Sequence, residues 1–96
     1  MILRKKILVV DDNNDLGELL AEFLNRFGYD VIKADSGIAA IIQASEKHPD
    51  LILMDIYLPE MTGDEITARL KANPDTRDIP VIITTAFQEP AVTNRA

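Results

Sequence analysis

Short apolar runs alternate with longer segments of helical period along almost the whole chain, and that alternation constrains the fold more than any other feature. Ile7-Leu8-Val9-Val10 is a continuous apolar run rich in β-branched residues. Such runs form strands covered on both faces, as in parallel sheets. The next segment places Leu16, Leu19, Leu20, Phe23, Leu24 and Phe27 at the spacing of a helix with one apolar stripe. Asn14 or Asp15 is positioned to cap its start, and Gly28 to take the left-handed position after its end. Residues 29–32 predict a second strand. Ser36 predicts the cap of a second helix with Ile38, Ile41 and Ile42 on one side. Lys47 and His48 suit the negative end of that helix dipole, and Pro49 stops it. Residues 51–54 predict a third buried strand, broken by Asp55. Pro59 and Gly63 mark a loop, Asp64 and Glu65 suit the first turn of a third helix, and Asn73-Pro74 ends it. Residues 81–85 predict a fourth strand, and Pro90 opens a further helix.

The order β-α-β-α-β-α-β predicts an α/β fold, a doubly wound parallel sheet with right-handed crossovers and helices on both faces. A chain of 96 residues is expected to form one domain over 1–96. Its formal charge of -6, from 16 acidic and 10 basic residues, argues against a nucleic-acid surface, which needs a basic face. There is no cysteine and one histidine, so disulfides, thiolate metal sites and multi-histidine zinc sites are excluded. Asp11 and Asp12 stop the N-terminal apolar run too early for a secretory signal, and no stretch is long enough to span a membrane. The expected compartment is the cytoplasm.

Three acidic residues stand where buried strands end: Asp11 and Asp12 after the first, Asp55 after the third. Open α/β sheets bind ligands beyond the carboxyl ends of their strands, where the winding reverses. In the flavodoxin-like order that point lies between the first and third strands, so the fold would gather these three carboxylates, with Thr85 beside Asp55. Unit charges about 5 Å apart repel by roughly 3 kcal/mol at an effective dielectric near 20. Such a cluster must take up protons or a cation. Magnesium, which prefers carboxylate, water and phosphate oxygens, matches the inventory. An ionised Asp55 in an apolar run is costly unless partnered. His48, by contrast, reads as a surface partner of its helix end.

Val9-Val10-Asp11-Asp12, Leu53-Met54-Asp55, Leu58-Pro59-Glu60-Met61-Thr62-Gly63 and Ile79-Pro80-Val81-Ile82-Ile83-Thr84-Thr85-Ala86 together resemble the receiver domain of two-component response regulators. The resemblance covers essentially the whole chain. It implies a sheet in the order 2-1-3-4, with Asp55 as the phosphoryl acceptor. It implies a magnesium ion held by Asp11, Asp12, Asp55 and the backbone carbonyl of Tyr57. Thr85 would hydrogen-bond a phosphoryl oxygen and carry the switch. The implied donor is a phosphohistidine on a sensor histidine kinase or histidine phosphotransfer protein. The chain would then be a signalling module that assists only its own phosphoryl transfer, not a metabolic enzyme. The family also carries a lysine, a fifth strand and a last helix beyond Thr85. The sequence stops eleven residues after Thr85 (96 − 85), short of all three. The fourth strand and one sheet face are therefore expected to be exposed and to drive self-association. The competing reading is a phosphorylation-independent interaction or dimerisation module on the same scaffold. A magnesium phosphatase or flavin carrier is disfavoured, since no general base or glycine-rich phosphate loop is visible.

Overall fold

The computed structural model describes residues 4–55, 58 and 60–84. Four strands and three helices alternate: β1 (Lys6–Val10), α1 (Asn14–Arg26), β2 (Asp30–Ala34), α2 (Gly37–Lys47), β3 (Leu51–Asp55), α3 (Gly63–Ala72) and β4 (Val81–Thr84). All pairings are parallel and the order is β2-β1-β3-β4. The predicted winding is therefore present, with the reversal between β1 and β3.

The central strand explains why the sheet forms. Ile7, Leu8, Val9 and Val10 are all buried, and side chains alternate between faces along a strand. Leu8 and Val10 join Ile52, Met54, Ala40, Ala44, Ile66 and Leu70 in one core beneath α2 and α3. Ile7 and Val9 point the other way, towards α1. Full burial of each such side chain is worth about 1.5–3 kcal/mol.

The helix ends show how local chemistry sets the boundaries. The α1 cap is Asn13, one residue before Asn14 and two before Asp15, the expected positions: its side-chain oxygen accepts from the Leu16 N–H at 3.1 Å. Gly28 follows that helix at φ 93, as the spacing predicts. Ser36 caps α2 through the Ala39 N–H. His48 closes α2 in the left-handed region at φ 50, and its own N–H donates to the Ala44 carbonyl. Thr62 and Glu65 form a reciprocal capping box on α3. The hydroxyl of Thr76, the one buried polar residue among those described, donates to the Leu70 carbonyl at 2.7 Å and ties down the helix exit.

The α2 face matches the expected one only in part: Ile41 packs against the core. Gly37, Ala40 and Ala44 face inward, while Ile38 and Ile42 are half exposed. Small residues let the helix axis approach the sheet. Gly37 shows the constraint directly. A Cβ at this position would lie 2.8 Å from Ile66 Cδ1, 3.0 Å from Ile66 Cγ1 and 3.1 Å from Met61 Sδ. Overpacking of this kind costs about 1–3 kcal/mol. Gly37→Ala should therefore lower Tm by at least about 4 °C. Gly17→Ala is the internal control, since its nearest neighbour would be Asp11 Cβ at 4.0 Å. Calorimetry on the pair checks this: equal melting of both variants would show that the α2–α3 contact is loose.

Candidate functional site

Residues at strand ends inherit the rigidity of the ladder behind them. The Asp11 N–H donates to the Ala34 carbonyl at 3.0 Å, fixing the chain as it leaves β1. Asp55 is the last residue of β3. Val10 pairs with Met54, so the acids leave neighbouring strands at the same level. One carboxylate oxygen each from Asp11, Asp12 and Asp55 lie within 4.8 Å of one another. Asp12 is exposed, whereas Asp11 and Asp55 are partly buried. The three carboxylates expected together are together.

Asn13 is a member of this site that the sequence reading missed. Its backbone N–H donates to Asp11 Oδ1 at 2.8 Å, while its side chain caps α1. The signal was present in the two-residue spacing of Asp11 and Asn13, which is that of an Asx turn. This bond orients the Asp11 carboxylate and leaves the other oxygen available.

Partial burial pushes the Asp11 carboxyl above its ordinary range, and the nearby charges of Asp55 and Asp12 push the same way, against the Asn13 hydrogen bond. A carboxyl raised in the fold contributes stability below its ordinary value of 3.8, and loses it as pH rises through the folded-state value. At neutral pH, in chelator, ionised Asp11 therefore opposes folding. Asn keeps the oxygen that accepts from Asn13. Asp11→Asn should raise Tm at pH 7 relative to the parent. The two proteins should converge near pH 3. A thermal-melt series across pH checks this, and a variant less stable than the parent at pH 7 would contradict the repulsion.

Thr84 pairs in register with Asp55, so β4 delivers the chain to the level of the acidic pocket. Thr85 and Tyr57, the other two expected site residues, lie outside the described residues. Below the pocket, an apolar groove of about 700 Å³ runs between α1 and the β3–β4 half of the sheet, bordered by Leu16, Leu19, Leu20, Phe23, Leu53 and Thr84. No described helix is long and apolar enough to cross a membrane.

Residues 7–96 match the family model of the response regulator receiver domain. The polar-differentiation response regulator DivK of Brucella ovis is 45% identical over 85 residues, which cover 88% of this chain and 69% of the relative. The chemotaxis response regulator CheY4 of Vibrio cholerae superposes with a TM-score of 0.83 at 26% identity, covering 95% of this chain and 76% of that one. The N-terminal domain of a response regulator receiver protein from Methanoculleus marisnigri gives 0.82 at 40% identity, covering 90% and 71%.

Proposed function

This chain belongs to the response regulator receiver domain family, and from that premise we propose that residues 1–96 act as one receiver that accepts a phosphoryl group on Asp55. The observation that carries the reading is the convergence of Asp11, Asp12 and Asp55 within 4.8 Å. Three carboxylate oxygens gathered this closely would suit a hard divalent cation such as magnesium, held directly or through water. Asp11, Asp12, Asp55 and the Tyr57 carbonyl would hold it. When bound, magnesium neutralises charge on the carboxylates and on the incoming phosphoryl group.

The chemistry of the protein's own groups follows. A carboxylate oxygen of Asp55 attacks phosphorus in a phosphohistidine. The P–O bond forms as the P–N bond breaks, and the departing electron pair returns to the imidazole nitrogen, which takes a proton from water. β3 holds Asp55 in place and Asn13 holds Asp11. Thr85 would donate its hydroxyl to a phosphoryl oxygen and shift towards it. Positioning and charge compensation supply most of the rate in such transfers. The donor would be a sensor histidine kinase or histidine phosphotransfer protein in the cytoplasm.

The decisive test is incubation with magnesium and a small phosphodonor, read by mass spectrometry. We expect one phosphoryl adduct, labile to hydroxylamine as an acyl phosphate must be, and none in excess chelator. Absence of the adduct with magnesium present would favour the phosphorylation-independent interaction module instead.

Self-association is the second part of the proposal. Its support is the half-exposed Ile82 on β4, the exposed Leu19 and Phe23 on α1, and the exposed Phe27 at that helix's C-cap.

A further inference from the structure

We propose that Asn13 is a positioning residue for the magnesium site, its side-chain cap on α1 holding in place the N–H that aligns the Asp11 carboxylate. The inference deepens the receiver reading above and rests on it. Asn13 makes hydrogen bonds in two directions. Towards the pocket, its backbone N–H donates to Asp11 Oδ1 at 2.8 Å. Towards the helix, its side-chain oxygen accepts from the Leu16 N–H at 3.1 Å, and its carbonyl accepts from the Gly17 N–H at 2.9 Å. The alignment of one acid and the first turn of α1 therefore meet on a single residue.

The backbone of Asp11 is fixed separately, by its N–H bond to the Ala34 carbonyl. That bond sets where the side chain begins, not where its oxygens point. The Asn13 N–H makes that choice, and its own direction depends on the extended conformation of Asn13, φ -91 and ψ 103. Extended backbone is what a capping residue takes, because its side chain must reach forward to the first turn. With alanine at position 13 the acceptor oxygen is gone, and a cap moved to a later residue unwinds that turn. The helix then survives with a later start, while residues 11–13 lose the frame that aims the N–H. Losing an outer hydrogen-bond partner of a metal ligand typically costs about tenfold to a hundredfold in affinity. The lower figure is expected here, because the backbone donor stays in the chain. A cap with a purely structural role would lower stability and leave magnesium binding alone.

Magnesium titration calorimetry on the full 96-residue chain tests this, with circular dichroism confirming the fold of each variant. Asn13→Ala should bind magnesium about tenfold more weakly than the parent. Asn13→Ser, which keeps an uncharged cap oxygen, should bind within about twofold of the parent. Ser36→Ala removes the cap of α2, a helix that follows β2 rather than an acid-bearing strand. It should melt earlier than the parent and bind magnesium equally well. In excess chelator, the amide proton of residue 13 should exchange faster in Asn13→Ala than in the parent or in Asn13→Ser, read by NMR and corrected for intrinsic rates. A parent that binds no magnesium overturns the metal site and this role with it. If the parent binds, equal affinity in Asn13→Ala, an equal loss in Asn13→Ser, or the same loss in Ser36→Ala overturns the positioning role and leaves the metal site standing. Unchanged amide exchange in Asn13→Ala overturns that role as well.

Discussion

With Asp55 replaced by Asn, the phosphoryl adduct formed with magnesium and a small phosphodonor is expected to vanish. The substitution is nearly isosteric, so the backbone of β3 and its pairing with β1 and β4 should stay as they are. What changes is the chemistry. A carboxylate oxygen carries the negative charge and lone pair that attack phosphorus, and an amide oxygen is a far weaker nucleophile. Asp11 and Asp12 remain nearby, but phosphoryl transfer demands in-line placement. Intact-mass spectrometry of both proteins, with hydroxylamine lability as the chemical signature, reads the outcome. An adduct of equal yield on the Asn variant would move the acceptor to another residue and overturn the assignment of Asp55.

The second large effect is expected at Asp12. Its side chain is exposed while those of Asp11 and Asp55 are partly buried, so it stands at the open side of the pocket. Asp12→Ala removes one of three charges that would compensate a divalent cation. An interaction with a charged partner is worth roughly 1.5–3 kcal/mol, and each 1.4 kcal/mol is tenfold in affinity. Magnesium affinity should therefore fall about tenfold to a hundredfold. Isothermal titration of both proteins measures it directly. Equal affinities would mean that magnesium binds elsewhere, and would remove the proposed metal role of the site.

These expectations begin from residues that could be read before any coordinates. The sheet order followed from four apolar runs separated by helical periods. The meeting of Asp11, Asp12 and Asp55 followed from that order, because acids at the ends of adjacent parallel strands have nowhere else to go. The family was legible in the same motifs. Packing between helix and sheet was harder to read. In α2, Ile38, Ile41 and Ile42 suggested the inward face; Ile41 does pack against the core, but Ile38 and Ile42 are half exposed and Ala40 and Ala44 are buried instead. Hydrophobicity ranks side chains, whereas close approach of a helix to a sheet selects for small ones. The Asn13 cap precedes both expected positions because three neighbouring polar residues offer similar oxygens, and only backbone geometry chooses among them. The buried Thr76 hydroxyl was invisible because its acceptor, the Leu70 carbonyl, is a property of the folded chain.

The placement of β1 between two other strands has a consequence for the timing of motion. Its ladder is held on both edges, so local openings that release α1 or α2 should leave it intact. Asp11 and Asp12 directly follow a strand that is hydrogen-bonded on both edges. Their ion-binding geometry would then outlive brief excursions of the surrounding helices, and the recognition surface could rearrange around a stationary charge.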